Sequence, residues 1–219
     1  MEEEKINSLL QKATDFAKHK LQEFDGGHDW SHTERVLNLA VKIREAEKDG
    51  DLLIIKLAAI LHDIADTKFH RGKDEDGGDM AFEFLSDHGL EASKAEHVRN
   101  IINRMSFKHL SDSEHEESIE FQIVQDADRL DAMGAIGIAR AFNYGGYKNR
   151  SLYDPSIPPV RHSNTEAYKK STAPTINHFY EKLFLLKDLM NTPSAKKMAD
   201  ERHSYMVEFV ERFKAEWEQ

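Results

Sequence analysis

Two histidines and two aspartates carry the chemistry that this sequence could perform. His62 and Asp63 are adjacent at the end of an apolar stretch, and His32 precedes them. Asp128 follows in a later segment. Two imidazoles and two carboxylates form a mixed nitrogen and oxygen ligand set, which suits divalent ions such as Mn²⁺, Fe²⁺, Co²⁺, Ni²⁺ and Zn²⁺. These residue types therefore predict a binding site for a divalent metal ion.

The identity of the later aspartate ligand is the least certain part of this predicted set, because three aspartates lie close together. Asp126, Asp128 and Asp131 follow one another within a single segment whose apolar spacing predicts a helix. All three side chains offer the same carboxylate oxygens. The spacing alone therefore leaves open which of the three aspartates is the ligand.

The elements that must position these residues are predicted to be helices. Apolar residues recur at three- and four-residue steps along most of the chain, as in amphipathic helices, and no segment alternates with period two for long enough to predict a strand. We therefore predict an all-α fold, a single-domain helical bundle over residues 1–219. The predicted helices span about residues 6–24, 32–48, 52–65, 80–88, 91–105, 119–131, 176–190 and 206–217.

The second and third predicted helices explain how the two histidines could meet. The helix over 52–65 is apolar around much of its circumference, which favours a central position. If it packs antiparallel to the helix over 32–48, the last turn of one lies beside the first turn of the other, and His32 comes next to His62. The C-terminal end of a helix carries partial negative charge, which favours a cation there.

Two polar segments interrupt the helical pattern. Residues 66–79 are rich in charged residues and glycine, and they predict a loop, a candidate active-site flap. Residues 143–165 contain a Gly-Gly pair and three prolines. A connection longer than about 15 residues is usually functional or disordered. Whether this second segment closes as a lid is left open.

Composition excludes several classes of function. The chain has 30 Lys and Arg against 40 Asp and Glu, a formal charge of −10, which disfavours long polyanions such as nucleic acid and anionic membranes. The absence of cysteine excludes disulfides, thiolate nucleophiles and cysteine-bound metals. The acidic start of the chain is unlike a signal peptide, and no apolar stretch approaches about 18 residues. We therefore expect a cytoplasmic protein with a small-molecule partner.

The ordered set of histidines and aspartates resembles the HD-domain superfamily of metal-dependent phosphohydrolases, whose pattern is H…HD…D on helices. The matching segments are HDWSHTERV at 28–36, AILHDI at 59–64 and QDADRLD at 125–131. They look like a bacterial branch that includes nucleotide pyrophosphohydrolases. The resemblance covers about residues 28–165, the motif-bearing core. We expect the C-terminal helices over 166–219 to pack on this core, and pairing of two subunits through the same apolar faces is the alternative.

The resemblance implies that His32, His62, Asp63 and Asp128 hold the metal ion. The Ala-Asp-Arg pattern of the family selects Asp128 from the three neighbouring aspartates. Mn²⁺ is the first choice, with Co²⁺, Ni²⁺, Fe²⁺, Mg²⁺ and Zn²⁺ as the other possibilities. We expect one ion, because the surroundings of the remaining histidines do not match the second metal site of dinuclear relatives. The histidines that could have formed such a site are His97, His109 and His115.

Catalytic and substrate roles can be assigned to residues in and around these motifs. Asp63 and Asp66 are the candidate catalytic acids, and Asp66 lies one turn beyond His62, where related alarmone hydrolases have an acidic residue. The alternative is that Asp66 is an ordinary acid at a helix end. Asp131, one turn beyond Asp128, is assigned to supporting the substrate or the ligands. The candidates for neutralising phosphates are Arg35, Lys68, Arg129, Lys148 and Arg150, of which Arg35 and Arg129 lie within matching motifs.

These residues together predict an enzyme that acts on a small nucleotide. The favoured reaction is hydrolysis of a (deoxy)nucleoside triphosphate to the monophosphate and pyrophosphate. The alternatives are a nucleoside 5′-monophosphate phosphatase and an alarmone 3′-pyrophosphohydrolase. A catalytically silent nucleotide-binding module is less favoured, because all four ligand positions are occupied by ligating residues. A monomer and a homodimer both remain open.

Overall fold

The fold was analysed in a computed structural model that describes residues 3–21, 30–65, 77–105, 117–160 and 172–219. Within these ranges every regular element is a helix, which confirms the all-α prediction. The chain divides into two compact units, Met1–Ala127 and Asp128–Gln219. That the whole chain forms a single domain stays a prediction.

The first unit is built around one apolar helix. Eight of the ten residues of helix α3 are buried, and the helix packs against α1, α2 and α5, which confirms its predicted central position. Helix α4 packs against α5. The helices are α1 (Glu3–Leu21), α2 (Trp30–Glu47), α3 (Leu52–Leu61), α4 (Gly77–Asp87), α5 (Ala92–Met105) and α6 (Ile119–Asp131), whose last four residues belong to the second unit.

A tight turn between α2 and α3 reverses the chain. Lys48 and Gly50 adopt positive φ angles of 58° and 89°, which let the backbone turn back within a few residues. Asp51 then caps α3, because its carboxylate accepts hydrogen bonds from the amides of Leu53 at 2.9 Å and Ile54 at 3.4 Å. The first turn of α2 thereby comes beside the last turn of α3.

Polar contacts fasten the N-terminal end of α3 to its neighbours. Lys94 of α5 pairs with the Asp51 carboxylate at 2.6 Å, and the Asp51 amide donates to Glu120 of α6 at 2.8 Å. Burial raises the pKa of Asp51, but the hydrogen bonds from Lys94 and from two backbone amides outweigh it, so the net pKa is lowered. The end of α3 opposite His62 is therefore anchored by charge.

The second unit is organised around a group of phenylalanine rings. Their ring centroids lie 5.9–6.2 Å apart, the spacing of favourable edge-to-face and offset contacts. The rings belong to Phe142, Phe179, Phe184, Phe209 and Phe213. The helices of this unit are α7 (Gly134–Tyr147), α8 (Asn177–Glu181), a 3₁₀ helix (Leu183–Leu189) and α9 (Pro193–Trp217), and α9 packs against both α7 and the 3₁₀ helix.

The second unit departs from the sequence prediction in several places. No helix was predicted over residues 134–142, where α7 lies, and α9 begins at Pro193 rather than near residue 206. The loop predicted from residue 143 is wrong at its start, because α7 continues to Tyr147 through both glycines. Gly145 serves close packing there, since a Cβ at this position would lie 2.2 Å from the Thr175 hydroxyl oxygen. The single helix predicted over 176–190 is instead α8 followed by the 3₁₀ helix, with an interruption at Lys182. The irregular segment thus begins after Tyr147 rather than at residue 143, and residues 161–171 lie outside the described ranges.

Other boundaries differ by smaller amounts. Helix α3 ends at Leu61, and turns continue to residue 65, so the predicted helix over 52–65 is too long. Helix α4 begins at Gly77, inside the predicted 66–79 loop. Residues 66–76 of that loop lie outside the described ranges. Among the helices that the structure describes, none combines the length and the apolar character needed to cross a membrane.

Candidate metal site

The imidazole of His62 is oriented by its own helix. His62 caps the C-terminal end of α3, and its Nδ1 lies 2.8 Å from the carbonyl oxygen of Ala59. A carbonyl oxygen can only accept, so Nδ1 carries the hydrogen and, in the neutral ring, Nε2 presents a lone pair. This is the arrangement that a metal-binding histidine uses. Nε2 of His62 is therefore prepared to act as a ligand.

Three predicted ligands meet at one point of the first unit. Nε2 of His62 lies 3.3 Å from Nε2 of His32, and each of these nitrogens lies 3.5 Å from Oδ2 of Asp63. The side chains of both histidines are almost fully buried, at 1% and 2% exposure, whereas Asp63 is 22% exposed. The cluster is therefore closed on its imidazole side and open towards solvent at the carboxylate.

The spacing of the three atoms fits a divalent ion. The point equidistant from them in their plane lies about 2.0 Å from each, and protein nitrogen and oxygen ligands bind zinc-sized ions at about 2.0–2.2 Å. The carboxylate of Asp63 and the partial negative charge at the C-terminal end of α3 both favour a cation here. The two imidazoles can bind it in their neutral form. Among the described residues, His32, His62 and Asp63 form a group that could hold a metal ion.

The predicted fourth ligand stays a prediction. Asp128 lies on α6, is partly buried, and is the first residue of the second unit. Its competitors Asp126 and Asp131 are buried, at 0% and 2% exposure. The carboxylate of Asp131 forms an ion pair with Arg140 at 2.6 Å. Burial in an ion pair favours a supporting role for Asp131 over direct contact with a substrate.

The predicted phosphate-binding residues are distributed over several elements. Arg35 lies partly buried on α2. Arg129, on α6, donates from its guanidinium to the carbonyl of Leu189. Asp66 and Lys68 lie outside the described residues. Their predicted roles, and those of Arg35 and Arg129, stay predictions.

Lys148 and Arg150 lie at the end of α7 among exposed tyrosines. The Lys148 ammonium is 5.0 Å from the ring centre of Tyr147, and the Arg150 guanidinium is 5.6 Å from that of Tyr144. The two rings are 57% and 45% exposed. Such cation–π contacts restrict where the cations can move. The result is a local concentration of positive charge on an acidic chain.

The remaining histidines have other surroundings. Nε2 of His97 lies 3.0 Å from the Ser118 hydroxyl and 3.7 Å from the Glu120 carboxylate. His109 and His115 lie outside the described ranges. Burial lowers the pKa of His178 to about 3, with a further contribution from the positive charges of Lys182 and Arg150. A histidine of this kind stays neutral inside its helical unit.

Sequence reasoning missed the two arginines that contact the end of α6. Arg140 pairs with Asp131, and Arg202 of α9 donates to the carbonyl of Leu130. Burial lowers the pKa of the Arg202 guanidinium, and the nearby charge of Asp131 opposes that shift. No local pattern identifies Arg202, because it lies 72 residues from its partner.

Known proteins match this chain over the segments that carry these motifs. The family model of the HD domain matches residues 29–133, which contain all four predicted ligands. The YpgQ protein of Bacillus subtilis is 41% identical over 191 residues, which cover 87% of this chain and 84% of YpgQ.

Solved structures resemble the whole chain. The crystal structure of an HD-superfamily hydrolase from Bacillus thuringiensis superimposes with a TM-score of 0.78 and 43% identity, over 97% of this chain and 98% of that one. The crystal structure of YpgQ in complex with ADP superimposes with a TM-score of 0.74, over 97% of this chain and 96% of YpgQ. Over these superimposed residues, which include more of the chain than the 191 residues aligned above, the identity with YpgQ is 32%.

Proposed function

This chain belongs to the HD-domain superfamily of metal-dependent phosphohydrolases, and we propose that it hydrolyses a (deoxy)nucleoside triphosphate to the monophosphate and pyrophosphate. The observation that carries the proposal is the triangle of His32, His62 and Asp63. Its three ligand atoms lie 3.3–3.5 Å apart and leave one side open at the carboxylate. An open coordination side is what a metal-assisted hydrolysis requires.

The choice of a nucleotide has two supports. YpgQ, a relative over most of this chain, crystallises in complex with ADP. The formal charge of −10 opposes a long polyanion, whereas a single nucleotide needs only a local group of cations. A small nucleotide therefore suits this chain better than a nucleic acid.

In the proposed reaction, His32, His62, Asp63 and Asp128 hold the ion. When bound there, a divalent ion would supply Lewis-acid chemistry, namely polarisation of a phosphoryl group and a lowered pKa of a coordinated water. Mn²⁺ is our first choice. The buried histidines exclude water from one side, and the fixed ring of His62 keeps Nε2 pointed into the cluster. Asp63, which is partly exposed, places its carboxylate at the solvent side, where the substrate enters.

Water is the nucleophile in this proposal. Its oxygen forms a bond to the α-phosphorus, the bond from that phosphorus to the bridging oxygen breaks, and pyrophosphate leaves. Asp66 accepts the proton of the water. Five cations neutralise the charge that develops on the phosphates. They are Arg35, Lys68, Arg129, Lys148 and Arg150.

Product analysis tests the proposal directly. We expect the Mn²⁺-loaded protein to release monophosphate and pyrophosphate in equal amounts from at least one deoxynucleoside triphosphate, as measured by ion-exchange chromatography. Phosphate from a monophosphate would instead identify a nucleotidase, and pyrophosphate from a guanosine alarmone would identify an alarmone 3′-pyrophosphohydrolase. If none of the triphosphates, monophosphates and alarmones is hydrolysed, the proposed function is wrong and the silent nucleotide-binding module is favoured.

A matched pair of variants tests the site. Asp63→Asn removes a negative ligand with little change in shape, and we expect turnover to fall by a factor on the order of 10³ or more, because the ion is no longer held. Asp87→Asn, at the exposed end of α4, makes the same chemical change away from the cluster. It should keep full activity. Full activity in Asp63→Asn would overturn the site assignment.

A further inference from the structure

The last turn of α6 is held by cations from two other helices of the second unit. Arg202 of α9 donates to the carbonyl oxygen of Leu130, and Arg140 of α7 pairs with the carboxylate of Asp131 at 2.6 Å. The first contact binds the backbone of the turn and the second binds a side chain. Consecutive residues of one turn are therefore fixed from two directions.

The negative charge of Asp131 is stabilised by these two arginines. Its carboxylate is 2% exposed, so burial opposes its negative charge. It also lies at the C-terminal residue of α6, where the partial negative charge of the helix end opposes it again. Arg140 balances this charge directly, and Arg202 does so at longer range. A carboxylate in this place stabilises the turn only while the arginines are present.

The corner between α6 and α7 is shaped around the stem of Arg202. Gly134 has a φ angle of +70°, and a Cβ there would lie 3.1 Å from Cγ of Arg202. Three residues later, a Cβ at Gly137 would lie 2.2 Å from the carbonyl oxygen of Ala132. The two glycines therefore allow the backbone of the corner and the stem of Arg202 to approach closely.

This turn needs such support because of its position in the helix. The last carbonyl groups of a helix lack partners within it, and the terminal turn opens more readily than the middle. Asp128 lies one turn before Asp131, within this terminal part of α6. A metal ligand must be held to within about 0.5 Å to keep its affinity.

We propose that Arg140 and Arg202 are positioning residues for the carboxylate of Asp128. They hold the last turn of α6 and thereby raise the affinity of the metal site, without touching the ion or the substrate. This inference rests on the proposed function, in which Asp128 is the fourth ligand.

Mn²⁺ binding to the metal-stripped full-length protein tests the inference, measured by isothermal titration calorimetry. Arg202→Met keeps much of the aliphatic stem that packs against Gly134 but removes every donor. We expect the Kd for Mn²⁺ to rise about tenfold or more, as for other groups that support metal ligands. Arg202→Lys restores a charged donor and should recover part of the affinity.

Arg212→Met is the matched control on the same helix. Arg212 is 78% exposed and pairs with Glu216, one turn further along the same helix, at 3.0 Å. Its replacement should leave the Kd for Mn²⁺ unchanged. Circular dichroism and the Tm of each variant show whether it is folded. Should Arg202→Met fail to fold, Arg140→Lys decides the matter, because it keeps the charge but loses the planar fork, and its Kd should rise several-fold.

Kinetics separate positioning from general stability. If the arginines position Asp128, raising the Mn²⁺ concentration should recover most of the kcat of Arg202→Met, while KM for the nucleotide changes little. Folded arginine variants that bind Mn²⁺ with the wild-type Kd would overturn the inference.

Asp128→Asn distinguishes this failure from failure of the ligand assignment. If Asp128→Asn loses Mn²⁺ affinity while the arginine variants keep it, only the positioning role is wrong. If Asp128→Asn itself binds Mn²⁺ like the wild type, the ligand assignment is wrong, and the positioning role falls with it. Nucleotide hydrolysis is measured separately, so neither result depends on the choice of substrate.

Discussion

Two of the helix ends that carry proposed ligands, those of α3 and α6, are held in place by different forces. The end of α3, with His62 and Asp63, is surrounded by buried apolar side chains, and the His62 ring is hydrogen-bonded within its own helix. The end of α6, with Asp128 and Asp131, is held by arginines from other helices. The first depends on packing and the second on charge.

This difference indicates how each end should fail. An apolar end loses its geometry when a cavity forms, because the surrounding structure relaxes only in part. An end held by ion pairs loses its geometry when one charge is removed, because the other is left buried without its partner. The following four variants test this contrast.

Arg140→Met should have the largest effect on stability. It leaves the Asp131 carboxylate, 2% exposed, without its ion pair, and we expect the free energy of unfolding to fall by about 4 kcal/mol. Urea unfolding followed by circular dichroism measures the change. The double variant Arg140→Met with Asp131→Leu should recover much of the loss, because the buried carboxylate is removed together with its ion-pair partner. A loss below about 1 kcal/mol in the single variant would show that charge does not hold this end.

Leu61→Ala should destabilise the apolar end by a smaller amount. Leu61 is fully buried directly before His62, and its truncation should cost about 3 kcal/mol. Leu189→Ala removes the same atoms at a half-exposed position and should change stability by less than about 0.5 kcal/mol. Equal losses in the two variants would contradict a packed end of α3.

Gly134→Ala tests the corner that accommodates Arg202. The φ angle of +70° disfavours any residue with a Cβ, and that Cβ would also press against the arginine stem. We expect a loss of about 1–2 kcal/mol in unfolding free energy, measured as before. Gly89→Ala is the control, because its φ is +78° but a Cβ there meets no atom within 4 Å. The amount by which the stability loss of Gly134→Ala exceeds that of Gly89→Ala measures the effect of the contact with Arg202.

Asp51→Ala should have the smallest effect, about 1 kcal/mol, because it removes the cap of α3 at the end opposite His62. Asp51→Asn keeps the cap but not the charge opposite Lys94, so it should lose less. The pKa of Asp51 is lowered in the folded state, so its contribution is complete above the ordinary value of 3.8. It is lost as the pH falls through the lower folded-state value. A wild-type advantage that grows on acidification would contradict this.

Much of the site in the first unit could be predicted from the sequence. The apolar spacing predicts a central helix, and an antiparallel neighbour then brings His32 beside His62. The observed distance of 3.3 Å between their Nε2 atoms confirms that placement. The prediction succeeded because a single short turn joins the two helices, which leaves little freedom in how they pack.

The helix boundaries of the second unit were harder to predict from the sequence. The pair Gly145 and Gly146 predicted a loop, because glycine usually interrupts helices. In the structure, Gly145 lies within α7, where its missing side chain makes room for Thr175. The contact joins residues distant in the sequence, so no local pattern distinguishes it from a helix end.

The sequence by itself determined the helical class, the residue types of the candidate metal site and the two helices that bring His32 and His62 together. These features depend on spacings of three and four residues and on one short turn. Only the tertiary structure decided which cations hold the end of α6, since Arg202 and Leu130 are 72 residues apart. Such pairs depend on how helices pack, because hydrogen bonds and ion pairs act only between groups already brought within a few ångströms.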